Sequence, residues 1–228
     1  EVRERLWFET LALVFRVLRG EAEGARADGE RLAGIAAGFD DLQYRVGPYL
    51  PRLFELVVAG QLTDAIRLAD EGLKLGDFAV ELAPIGARAA IWGGDAAAAS
   101  RMLDGYKIAR PGRRTDAVRG TMEAGIAMLE GRPSDARRLY ADALGRWQDL
   151  GLPTWLALCQ LDIIETGALE PAERRRAADE ARGFFERVGA RPFIEQLDAA
   201  LAREPAATGS AGARTAVVES AVESVPST

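Results

Sequence analysis

At 228 residues, 48% of them hydrophobic and 28% charged, the chain has a well-cored composition that excludes a disordered one. Its 35 acidic residues outnumber 29 basic ones for a net charge of −6, which sets the molecule against phosphate backbones and anionic membranes, so neither nucleic acid nor membrane is expected as a partner. There is no histidine, which removes the commonest general base and metal ligand, and the single Cys159 allows no intrachain disulfide, which fits a reducing, cytoplasmic setting.

The chain begins at Glu1 and not at a methionine, which reads as processing or as a piece of a longer polypeptide. Glu1, Glu4 and Glu9 interrupt the first apolar stretch, unlike a secretory signal, and the longest apolar runs, 11–15 and 155–159, fall far short of a membrane span. Helical periodicity predicts a first pair over 5–19 and 21–37, with a loop around 39–47 leading on. The second pair covers 44–59 and 62–75, where Leu62, Ala65, Ile66, Ala69 and Leu73 form the inward stripe. The third covers 78–92 and 95–109, ended by 110–112.

In the fourth pair, Val118, Met122, Ile126 and Leu129 lie on one face of a helix over 115–130. Its second helix is the clearest in the chain. Gly131 ends the preceding run, Pro133 suits a first helical turn, and Ala136, Leu139, Tyr140, Ala143, Leu144, Trp147 and Leu150 share one face until Gly151. The fifth pair covers 154–167 and 171–188. Pro192 then opens a capping helix whose Phe193, Leu197, Ala200 and Leu201 cover the last face. Residues 204–228 contain no aromatic, Leu or Ile and read as a disordered low-complexity tail, although Val218, Ala221, Val222 and Val225 share a helical face that could dock.

Short glycine turns followed five residues later by alanine recur at Gly20, Gly60, Gly94 and Gly131, spaced 40, 34 and 37 residues apart. A fifth turn is expected near Leu169. This is a helix-turn-helix period, and it divides the chain into an all-α repeat domain over 1–203, about five antiparallel helix pairs plus the capping helix, and the tail over 204–228.

The pattern resembles the tetratricopeptide (TPR) family, in which an inter-helix Gly, a small residue, a larger one and a small one recur. Gly131, Ala136, Tyr140 and Ala143 match all four places. Gly94, Ala99 and Leu103 match three, with Tyr106 departing; Gly60, Ala65 and Gly72 match, with Ala69 where a bulkier residue is usual. The resemblance implies a right-handed superhelical stack, a TPR-like α-solenoid. Residues 181–202, ARGFFERVGARPFIEQLDAALA, are similar to the C-terminal end of the TPR-like region of large bacterial signalling ATPases, which carry an adenylate cyclase or a LuxR-type DNA-binding domain. In the LuxR-type members a helix-turn-helix domain follows this segment, and here only the Ala/Ser/Thr-rich stretch does, which favours the cyclase-type arrangement or another one ending at the repeats. Any ATPase or cyclase activity would belong to domains upstream.

No motif carries chemistry, so no catalytic, cofactor-binding or metal-ligating residue is assigned and the chain is not expected to be an enzyme. Lys74 and Lys107 lack the glycine-rich context of a phosphate loop, and Cys159 lacks a partner base and reads as a small buried hydrophobe. The arginines at 110, 113, 114 and 119, and those at 174–176, are interleaved with acids and read as solvated faces. By the TPR resemblance, Phe54, Glu81, Arg88, Trp92 and Met128 line the concave surface, where Arg88 could fix an acidic peptide or ligand group. The expected role is a protein-protein interaction and regulatory module, binding a protein, a peptide or upstream domains of its own polypeptide. The alternative is a small-effector sensor that controls those domains.

Overall fold

A computed structural model describes residues 2–203; the tail over 204–228, with the disorder expected of it, lies outside the described residues. The fold is all-α, with no strand among the described residues. Its helices in chain order are α1 (Val2–Leu18), α2 (Ala22–Ala36), α3 (Leu42–Val46), α4 (Tyr49–Val58), α5 (Leu62–Leu73), a 3-10 segment (Asp77–Leu82), α6 (Ala83–Gly93), α7 (Ala96–Tyr106), α8 (Arg113–Leu129), α9 (Pro133–Asp149), α10 (Pro153–Thr166), α11 (Pro171–Val188) and α12 (Arg191–Ala202).

Local chemistry sets most of these boundaries. Pro84, Pro133, Pro153, Pro171 and Pro192 occupy the first turns of their helices, where the missing N–H has no intrahelical partner to lose. Gly131 takes φ +73°, a left-handed conformation open to glycine, so that the next N–H, of Arg132, donates back to Ala127 O at 2.8 Å and reverses the chain between α8 and α9. The fifth turn has its left-handed residue at Gly167, φ +69°, two residues before the expected Leu169.

Two expected helices differ. The helix over 44–59 is broken at Gly47–Pro48: proline lacks the N–H that would continue the ladder, so α3 ends at Val46 and α4 starts afresh at Tyr49. The loop around 39–47 therefore contains α3, whose cap is Asp41, accepting the Gln43 N–H at 3.1 Å. The helix over 78–92 begins as the 3-10 segment and becomes α-helical only at Ala83, one residue before Pro84.

Successive helices pack side by side, and α6 and α10 lie inside. From Ala83 to Ile91 every residue of α6 is buried, as are Ala157 to Ile164 of α10. A helix apolar on all sides is a helix surrounded by others. Small residues permit this: a Cβ on Gly86 would lie 2.5 Å from Ala69 Cβ on α5, and one on Gly125 of α8 would lie 2.4 Å from Ile91 Cδ1. α12 packs on α10 and α11, and it also reaches α1 and α4. Arg19 Nε donates to Val188 O at 3.3 Å, and the Pro192 ring stands 3.4 Å from where a Gly20 Cβ would be. The two ends of the array therefore meet.

Candidate functional site

Of the five residues expected on the concave surface, Arg88 and Trp92 are brought together. They stand one turn apart on α6 and converge on Asp162 of α10, a residue 74 positions from Arg88. Arg88 Nε and Nη2 donate to the two carboxylate oxygens at 2.8 and 2.9 Å, and Trp92 Nε1 donates to the first of them at 2.9 Å. The pair is buried, with 5% of the Arg88 side chain and 3% of the Asp162 side chain exposed. The carboxylate that Arg88 meets is thus supplied by the chain itself.

Burial works against the Arg88 charge, but the attraction and hydrogen bonds of Asp162 outweigh it and hold the guanidinium pKa above its ordinary value. Burial, with the Asp162 charge adding to it, pushes the Cys159 thiol up to about 12 and the Tyr140 hydroxyl well above its usual range. A thiol so raised stays protonated and is a poor nucleophile. Arg88 Nη1 and Tyr140 Oη have no hydrogen-bond partner among the described residues. Beside Arg88 lies a cavity of about 20 Å³, lined by Pro84, Thr121, Trp147, Trp155 and Asp162 among others. That volume suits about one water molecule and no larger ligand.

Glu81 stands apart from this node. In the 3-10 segment before α6, it pairs with Arg114 of α8 through two hydrogen bonds of 2.9 and 2.6 Å. These bonds, against the cost of burial, raise the Arg114 pKa. The guanidinium lies 5.6 Å above the Trp155 ring, which stacks on Trp147 at 5.7 Å, and Trp147 Nε1 donates to Thr121 Oγ1 at 3.1 Å. A ladder of charge, ring and hydroxyl thus runs from Glu81 on the rim into the core. Phe54 is buried in α4 and Met128 is half-buried in α8; neither lines the cavity beside Arg88.

Asp162 and Trp155 escaped the sequence reading. The one sign of Asp162 was a carboxylate inside the apolar run 156–164, since a charge at such a place must find a partner. Of the basic clusters, Arg114 pairs with Glu81, Arg119 with Asp116, and Arg174 donates to Ala200 O.

An unfilled surface lies elsewhere, on α1. Trp7, Phe8, Leu11 and Phe15 of α1 are 45, 70, 38 and 60% exposed. A groove of about 460 Å³ beside them is lined by Trp7, Phe8, Tyr44, Leu50 and Glu81 among others. Among the described residues no cluster of three or more His, Cys, Asp or Glu could hold a metal ion, and no helix is long and apolar enough to cross a membrane. No protein-family model, curated protein or solved structure matches the chain.

Proposed function

We propose that the chain is a non-catalytic interaction and regulatory module, a right-handed superhelical stack of TPR-like helix pairs, and that it binds a protein surface through its exposed apolar face. Support for the stack comes from the helix pairs α1–α2, α4–α5, α6–α7, α8–α9 and α10–α11, each joined by a turn with a left-handed glycine, at 20, 60, 94, 131 and 167. Asp162 occupies Arg88, so the interior of the stack is a clamp between its third and fifth units, and binding moves outward to Glu81 and the groove beside α1. The observation that carries this reading is the cluster of Trp7, Phe8, Leu11 and Phe15 exposed together on one helix, since large apolar side chains grouped on a surface mark contact sites.

The setting we propose is cytoplasmic, within a multidomain bacterial signalling ATPase or cyclase whose catalytic domains lie upstream. An in-frame ATPase or cyclase domain before Glu1 in the gene would bear this out, and its absence would remove it. In the sensor reading, an effector must part α6 from α10 to enter, because the cavity beside Arg88 admits only about a water.

The interaction reading is tested with a photoreactive amino acid at Phe8, and another at exposed Lys74 as control, in the cells that make the protein. A protein adduct at position 8 and none at position 74 is expected. No adduct at position 8 would overturn it.

A further inference from the structure

Two buried hydrogen-bond networks stand side by side in the core. One ties α6 to α10 through Arg88, Trp92 and Asp162. The other ties α9 to α8, where Trp147 Nε1 donates to Thr121 Oγ1 at 3.1 Å. Among the described residues no hydrogen bond joins Arg88 or Asp162 to Thr121. The cavity of about 20 Å³ is nonetheless lined by members of both, Arg88 and Asp162 from the first and Thr121 and Trp147 from the second.

Both networks keep unused hydrogen-bonding capacity. The Arg88 guanidinium is planar, and Nε and Nη2 on one edge donate to Asp162; Nη1, buried and without a partner, is left on the opposite edge. Asp162 Oδ2 accepts from Arg88 Nη2 alone among the described residues, so a lone pair remains. Thr121 Oγ1 donates to Ala117 O at 2.9 Å and accepts from Trp147, which leaves it one lone pair as well.

We propose that this cavity is a binding site for one ordered water molecule, which accepts from Arg88 Nη1 and donates to Asp162 Oδ2 and Thr121 Oγ1. The water makes the two networks one, and it brings α8 of the fourth unit into the clamp between the third and the fifth. What α1 contacts has no bearing on it. Size is the first argument: about 20 Å³ exceeds the roughly 10–15 Å³ that a water needs, and three polar partners fall within its usual two to four. Charge is the second. Asp162 already neutralises Arg88, so a small anion would meet the carboxylate with no net positive charge to hold it, and a cation would meet the guanidinium. An apolar guest would leave Nη1 unpaired. Water offers an acceptor to Arg88 and donors to the other two.

The first test is a crystal structure of the 228-residue chain, grown with sodium bromide in place of sodium chloride. At about 1.5 Å resolution, a density peak roughly 2.7–3.2 Å from Arg88 Nη1, Asp162 Oδ2 and Thr121 Oγ1, without anomalous bromide signal, is expected. A bromide signal there would make it an anion site and overturn the proposal. An empty cavity, or Nη1 bonded directly to a protein oxygen, would overturn it as well. The second test is oxygen-17 relaxation dispersion in solution, which detects long-lived internal waters. Thr121→Val keeps the size of the side chain and removes the acceptor, so one such water should exchange about 3- to 10-fold faster, the worth of one hydrogen bond. Thr121→Ser, which retains the hydroxyl, should leave the exchange as in the wild type. A folded Thr121→Val chain whose internal waters exchange at the wild-type rate would overturn the bridge.

Discussion

Replacing Asp162 by asparagine changes almost nothing in volume, and it isolates the charge at the centre of the molecule. Asp162 accepts from Arg88 twice and from Trp92 once, at 2.8 to 2.9 Å, with both ionic side chains about 95% buried. Asparagine keeps one acceptor oxygen but leaves the guanidinium without a counter-charge. Arginine cannot shed its proton, so the charge has no escape. A contact of about 4 Å at an effective dielectric constant near 20 is worth about 4 kcal/mol, and breaking a buried pair from one side costs about 3–5 kcal/mol. For a domain of this size that lowers Tm by about 6–20 °C. Urea unfolding followed by tryptophan fluorescence and far-UV circular dichroism measures it. The partner experiment is the double variant Arg88→Met with Asp162→Leu, which removes both charges and leaves only the Trp92 N–H unpaired, at about 1–3 kcal/mol. It should be more stable than Asp162→Asn alone. The reasoning fails if Asp162→Asn costs less than about 1 kcal/mol, or if the double variant is as unstable as the single one.

Gly86→Ala should destabilise by about 1–2 kcal/mol: the new Cβ lies 2.5 Å from Ala69 Cβ, which cannot swing aside, so α5 and α6 must separate, and overpacking outweighs the gain in helix propensity. Gly29→Ala on α2, where nothing stands within 4 Å, should be neutral or stabilise by up to about 1 kcal/mol, and equal behaviour of the two in thermal denaturation would contradict the close approach of α5 and α6. The Cys159 thiol, raised by burial from its ordinary value near 9 to about 12, keeps its proton in the folded chain while the unfolded chain ionises. Its contribution is full below pH 9, is lost as pH rises from 9 to 12, and sets a slope of up to about 1.4 kcal/mol per pH unit. Cys159→Ala should flatten that alkaline slope, and a slope identical to wild type in urea titrations would place the effect elsewhere.

What could be read from the sequence was mostly local. Glycine turns and first-turn prolines act within a few residues, so the ends of α8, α9, α10 and α11 lie within about two residues of their expected places. The same signals at Pro48 and Pro84 were present and went unread, because an amphipathic pattern running through a proline looks continuous until its missing N–H is counted. Arg88 reads in the sequence as a cation for an acidic ligand group on an open groove, whereas in the fold it is buried against the chain's own Asp162. Its partner lies 74 residues away, and no pattern within one helix could name it.

The open seam of α1 exposes a different limit. Apolar spacing declares how many faces of a helix seek cover, and it is silent on which neighbour supplies each. α6 and α10 are mostly apolar on every side and the fold encloses them, and the charges they carry inside, Arg88 and Asp162, pair with each other. α1 has two apolar seams, and α2, α3, α4 and α12 pack against it while Trp7, Phe8, Leu11 and Phe15 stay exposed. Side chains as large as Phe8 and Phe15 are costly to leave in water, at about 1.5–3 kcal/mol for each one that could be buried. α1 therefore carries more apolar surface than its neighbours α2, α3, α4 and α12 cover.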